Sequence, residues 1–225
     1  MWSLAVAAGL GLVLGARHAF EPDHLAAVST LVAERPRPRQ AAALGALWGL
    51  GHTAALAVVG IALVIAKAEL APAAERGFEL VVAAMLIALG ARSIVLALRQ
   101  GRDGDAHAHA HGEHTHVHAG AVPHVHLGAR ALALRPLVIG VIHGLAGSGA
   151  LAALAMAEMH STATSLAYIA LFGLGATAGM AAVSAAAALS LGRLAPGAAT
   201  WRRVQLGSGA LAVVIGVAWG ALAIS

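Results

Sequence analysis

The chain has no cysteine among its 225 residues, which excludes disulfides and leaves no thiolate to bind a metal. Any metal site here must be built from nitrogen and oxygen. Charge is nearly as scarce, at 11% of residues against 60% hydrophobic, and the mean hydropathy of +0.82 lies outside the range of a soluble domain. Aromatic residues make up only 4%, while there are 27 glycines, so helices are expected to pack through small faces such as Gly45, Gly49 and Gly173. Also missing are an H-E-x-x-H helix, a nucleophile beside a base and any cofactor motif, and the chain is therefore not expected to be an enzyme. No basic stretch precedes the first apolar run and no cleavage site follows it, which predicts a retained helix rather than a signal peptide.

What the chain does have is apolar runs long enough to cross a bilayer, about 20 residues each. They lie near 2–33, 40–66, 76–99, 130–159, 162–192 and 203–224, which predicts an all-α polytopic membrane protein with six transmembrane helices. Arg35, Arg37, Arg39, Arg99, Arg102, Arg130, Arg135, Arg193, Arg202 and Arg203 flank the connections after the first, third and fifth helices, against Lys67 and Arg76 on the other side. The positive-inside rule then puts both termini outside a cell (inner) membrane. The formal net charge of +4 reflects this bias, and no nucleic-acid partner is expected.

Shifting the sequence by about 124 to 125 residues sets Leu14-Gly15-Ala16-Arg17-His18 against Ile139-Gly140-Val141-Ile142-His143. It also sets Trp48-Gly49-Leu50-Gly51-His52-Thr53-Ala54 against Phe172-Gly173-Leu174-Gly175-Ala176-Thr177-Ala178. The expected organisation is a three-helix repeat over 1–99, a loop over 100–129 and a second three-helix repeat over 130–225. Each half has an odd number of spans, so the two must run in opposite directions, as in many transporters that bind their substrate near the midplane between the halves.

The costly residues collect at that depth. His18-Ala19-Phe20-Glu21-Pro22-Asp23-His24 interrupts the first apolar run, and His52 and His143 lie near the middle of the second and fourth. One ionised side chain at the centre of a membrane helix costs roughly 2.5 to 3.5 kcal/mol. At 100° per residue His18, Asp23 and His24 would point near about 0°, 140° and 240°, too far apart to hold one ion on a regular helix. Pro22, which has no N–H for the carbonyl of His18, is expected to break or distort the first helix and let them converge. Arg17 and Glu21 are spaced for an i, i+4 ion pair that leaves Asp23 to the histidines. Imidazoles with one carboxylate suit divalent zinc, copper, iron, cobalt or nickel and are too nitrogen-rich for magnesium or calcium. Histidines that release a metal can take up protons, so coupled proton movement is a further expectation.

At these residues the chain resembles a known family. Arg17-His18-x4-Asp23-His24, with Leu50-Gly51-His52-Thr53, is similar to the first two signature motifs of the nickel/cobalt transporter (NiCoT) permeases. The resemblance implies that His18, Asp23 and His24 select the metal and that His52 joins them; the repeat adds His143. In the second half Ile142-His143-Gly144-Leu145-Ala146-Gly147-Ser148-Gly149 replaces the acidic motifs of the longer, eight-helix members. It looks more like the short six-helix relatives known as urease-accessory or nickel permease-like proteins. The function expected is secondary transport of nickel or cobalt through the midplane site. A membrane metal sensor or nickel accessory protein for urease or hydrogenase maturation is the alternative.

Eight further histidines, His107, His109, His111, His114, His116, His118, His124 and His126, lie in the 100–129 loop. Its low apolar content predicts a disordered, cytoplasmic, metal-binding segment. Similar loops in efflux members of the family favour export. Glu158 and His160 read as an interfacial cap, Ser148 stands at the repeat position of Asp23, and Thr53 and Thr177 are matched packing residues.

Overall fold

The computed structural model describes residues 4–33, 37–66, 70–100, 107–111, 114–118, 129–145, 161–194 and 197–224. The helices are α1 (Leu4–His18), α2 (Pro22–Val32), α3 (Pro38–Ala66), α4 (Pro72–Gln100), α5 (Ala129–Gly144), α6 (Thr162–Leu194) and α7 (Ala198–Ile224). Four of them, α3, α4, α6 and α7, are long and apolar enough to cross a membrane. The pair α1 and α2 passes the same test as one broken span, bent by 54°. The chain is thus a helical membrane protein with four to five candidate spans among the described residues. The predicted fourth helix is seen as α5; its remainder, with Ser148, Glu158 and His160, lies outside the described residues.

The first segment is broken beside Pro22, as the diverging directions of His18, Asp23 and His24 required. It is two helices, and the proline begins the second rather than kinking the first. Glu21 is the N-cap residue with extended backbone (φ −64°, ψ 148°), and Pro22 occupies the first turn of α2, the one helical location where a missing N–H costs nothing. The end of α1 closes tightly: the Phe20 N–H donates to the Arg17 carbonyl at 2.9 Å and the Glu21 N–H to the His18 carbonyl at 3.0 Å. The carbonyl that Pro22 cannot serve is therefore satisfied one residue earlier.

Helix α3 lies between α5 and α6, α1 runs along α6, α4 pairs with α7, and α2 packs against α7 with further contacts to α4 and α6. Small residues set these distances. A Cβ at Gly51 would strike the Leu137 carbonyl, and one at Gly175 the Leu12 carbonyl; a Cβ at Gly140 would strike Trp48, and one at Gly15 Phe172. Between α4 and α7, Gly90 and Gly209 each face the other's carbonyl. Lipid supplies no hydrophobic drive to associate helices, so close backbone approach and dispersion hold such pairs together. Trp48, Leu86 and Met180 are the largest buried apolar side chains, and the Trp201 indole N–H donates to the Ala33 carbonyl at 2.9 Å, tying α7 to the end of α2.

Among the described residues of the 100–129 segment β1 (His107–His111) and β2 (His114–His118) form an antiparallel hairpin. The register sets His107 opposite His118, His109 opposite His116 and His111 opposite His114. An alternating sequence matches the period of two of a strand, which is why this composition accepts a ladder. His124 and His126 lie outside the described residues.

Candidate metal centre

The break between α1 and α2 places two helix ends at one point. His18 is the last residue of α1, Asp23 sits in the first turn of α2, and His24 follows it. A carboxylate in a first turn is stabilised by the unpaired N–H groups there, and imidazoles near the C-terminal ends of α1 and α5 lie where positive charge is favoured. His52 comes from the middle of α3 and His143 from the last turn of α5.

All five predicted residues converge. His18, Asp23, His24, His52 and His143 are buried, none more than 7% exposed. The His18 and His52 Nε2 atoms lie 3.1 Å apart. Asp23 bridges two rings, with Oδ1 at 3.1 Å from His24 Nδ1 and Oδ2 at 2.8 Å from His143 Nε2. The donor atoms of His18, His24 and His52 all lie within 4.8 Å of one another, as do those of Asp23, His24 and His143. Two nitrogens bound to one first-row ion at about 2.0 to 2.1 Å sit roughly 2.9 to 3.4 Å apart, so the 3.1 Å spacing needs little adjustment.

The hydrogen bonds also decide where lone pairs are left. A carboxylate only accepts, so in neutral rings the proton sits on His24 Nδ1, on His143 Nε2, and on His18 Nδ1, which lies 2.9 Å from Glu21 Oε1. His18 Nε2 then accepts from His52 Nε2. What remains is a bare lone pair on each of His24 Nε2, His52 Nδ1 and His143 Nδ1. All three are buried without a hydrogen-bond partner among the described residues. An unsatisfied buried polar atom costs about 1 to 3 kcal/mol, so each of these lone pairs favours a cation in the cluster.

Sequence reasoning did not find three contributors. Glu21 orients His18 instead of forming the expected pair with Arg17, because the helix that would align residues 17 and 21 ends at His18. Trp48 stacks on His24 with ring centroids 5.3 Å apart, and Phe172 lies 5.6 Å from His18. The repeat alignment had matched Trp48 with Phe172, a signal that pointed to their equivalence and not to their place beside the histidines.

With this geometry, the model of the NicO family, described as high-affinity nickel-transport protein, matches residues 2–224. The chain belongs to this family. At the family level its activity is transport of nickel or cobalt ions across a membrane. The chain is also 33% identical over 171 residues to the urease accessory protein UreH of Bacillus sp. (strain TB-90), covering 76% of this chain and 71% of that one. No solved structure matches the chain.

Proposed function

We propose that His18, Asp23, His24, His52 and His143 bind the transported nickel or cobalt ion between two inverted three-helix halves. The observation that carries this reading is the convergence of five buried ligand-type residues from α1, α2, α3 and α5 on one cluster. Few intramembrane ionisable groups exist without a functional reason, since each is costly in lipid.

The inverted arrangement is supported by contacts that exchange under the repeat. Gly51 meets Leu137 and Val141, while Gly175 meets Leu12 and Ala16; Gly140 meets Trp48, while Gly15 meets Phe172. Adding about 124 to 125 to one member of each pair and subtracting it from the other yields its counterpart. Two copies related by an in-plane two-fold axis make contacts of this kind. The arginine-rich connections favour both termini outside the cell membrane and the His-rich segment in the cytoplasm.

Nickel uptake into proteoliposomes tests the reading. His18→Ala and Asp23→Asn should each abolish flux, while a chain that binds metal without moving it would favour a sensor or accessory role. The name of the Bacillus relative makes that second outcome worth measuring.

A further inference from the structure

We propose that the cluster is two overlapping metal stations, one of His18, His24 and His52 and the other of Asp23, His24 and His143, which share His24 and hold one ion in turn. This rests on the cluster being the transport site. The donor atoms form two compact triads with a single residue in common. The ring centroid of His24 lies 4.2 Å from that of His18 and 4.1 Å from that of His143, whereas His52 and His143 are 6.1 Å apart. His24 is therefore central and the other rings flank it.

The repeat divides the cluster along the same line. His18 and His143 are equivalent under the shift, and one belongs to each triad. Their aromatic neighbours exchange as well: Phe172 lies 5.6 Å from His18, and its equivalent Trp48 lies 5.5 Å from His143. One station lies wholly in the first half, and the other adds His143 of the second half to Asp23 and His24 of the first. The stations differ where the repeat fails, for His52 corresponds to Ala176 and Asp23 to Ser148. One station offers nitrogen only, the other adds a carboxylate.

Simultaneous occupancy is disfavoured, because two divalent cations sharing one imidazole would repel strongly in a buried setting. Passage becomes a ligand exchange. The ion keeps one bond to His24, gives up those to His18 and His52, and gains those to His143 and Asp23, with no change of oxidation state. Halves of opposite orientation would present His18 and His143 to opposite sides of the membrane, so the exchange coincides with the change of access.

Cobalt(II) titration of the purified full chain in detergent, followed by absorption spectroscopy and calorimetry, tests this. Wild type should bind one cobalt at the buried cluster, told apart from cobalt on the His-rich segment because His24→Gln removes only the former. His52→Gln and His143→Gln should each still bind one, about twofold more weakly, since two exclusive stations of similar strength share the apparent constant equally. Their visible bands should differ, oxygen-containing in the first and nitrogen-only in the second, and neither variant should support flux in proteoliposomes. His24→Gln and the double variant His52→Gln/His143→Gln should lose binding. Asparagine variants carry the comparison wherever a glutamine variant does not elute as a single species. If either single change weakens binding at the cluster about a hundredfold, as the double does, or if wild type binds two ions that are both removed by His24→Gln, the two-station proposal is overturned while the transport site stands. Wild type that binds no cobalt at all overturns both.

Discussion

The Thr53 hydroxyl lies 3.2 Å from that of Thr177, and the two residues are 124 positions apart. Thr53 also donates to the Gly173 carbonyl at 3.1 Å, so Thr177 is left to donate to Thr53. Residues that are equivalent in the repeat and touch each other must lie close to whatever relates the halves. The pair lies on the α3–α6 seam, one position from His52 in α3 and five from Phe172 in α6. Expected from sequence to be packing residues, these threonines are a polar clasp between α3 and α6.

Removing the clasp should show coupling. Thr53→Val and Thr177→Val should each lower stability by roughly 0.6 kcal/mol, the average for hydrogen bonds between membrane helices. The double variant should cost less than the sum, because the first change already deletes the shared bond. Thermal unfolding in detergent measures the cycle, and strict additivity would mean that the hydroxyls do not interact.

Glycine substitutions should divide sharply by location. A side chain at Gly140 or Gly15 meets a backbone carbonyl that cannot rotate away, while nothing lies within 4 Å of a Cβ placed at Gly9 or Gly77. Gly140→Val should cost about 1 to 3 kcal/mol or more through overpacking. Gly9→Ala should be neutral or stabilise by up to about 1 kcal/mol from helix propensity. The yield of monodisperse protein and its melting temperature in one detergent distinguish the two cases.

Much of the site was legible in the sequence because membrane burial makes polar residues conspicuous. His18, Asp23, His24, His52 and His143 stood out against apolar runs, and Pro22 announced that the first run could not be one straight helix. The 54° bend was not legible, since its size depends on how α2 packs against α7 and α4. Nor was the partner of Glu21. On a continuous helix it faces Arg17, and only the tight turn at residues 19 to 21 brings its carboxylate back over His18. In the His-rich segment composition reports the lack of a core, while its alternation also satisfies a strand.

Glu21 should tune the metal without binding it. Its carboxylate accepts from His18 Nδ1 at 2.9 Å and so keeps Nε2 free as a lone pair. Groups that orient a histidine ligand in this way typically contribute about 10- to 100-fold in metal affinity. Glu21→Ala should weaken cobalt binding by that order, and Glu21→Gln, whose amide oxygen can still accept, should restore most of it. Equal losses for both variants would assign the effect to charge rather than to ring orientation.

Trp48 offers a test of shape against hydrogen bonding. It is fully buried against His24 and His143, yet its indole N–H has no hydrogen-bond partner among the described residues. Trp48→Phe removes an unsatisfied donor worth about 1 to 3 kcal/mol of penalty, and phenylalanine is already the residue at the equivalent position, Phe172. The lost ring volume opposes that gain, so stability should stay within about 1 kcal/mol of wild type, with stacking on His24 kept. Trp48→Ala removes the stack and leaves a cavity, at a cost of about 3 to 5 kcal/mol. If Trp48→Phe is instead as damaging as Trp48→Ala, the indole N–H serves something other than packing, and flux measured on the phenylalanine variant would show whether that role lies in transport.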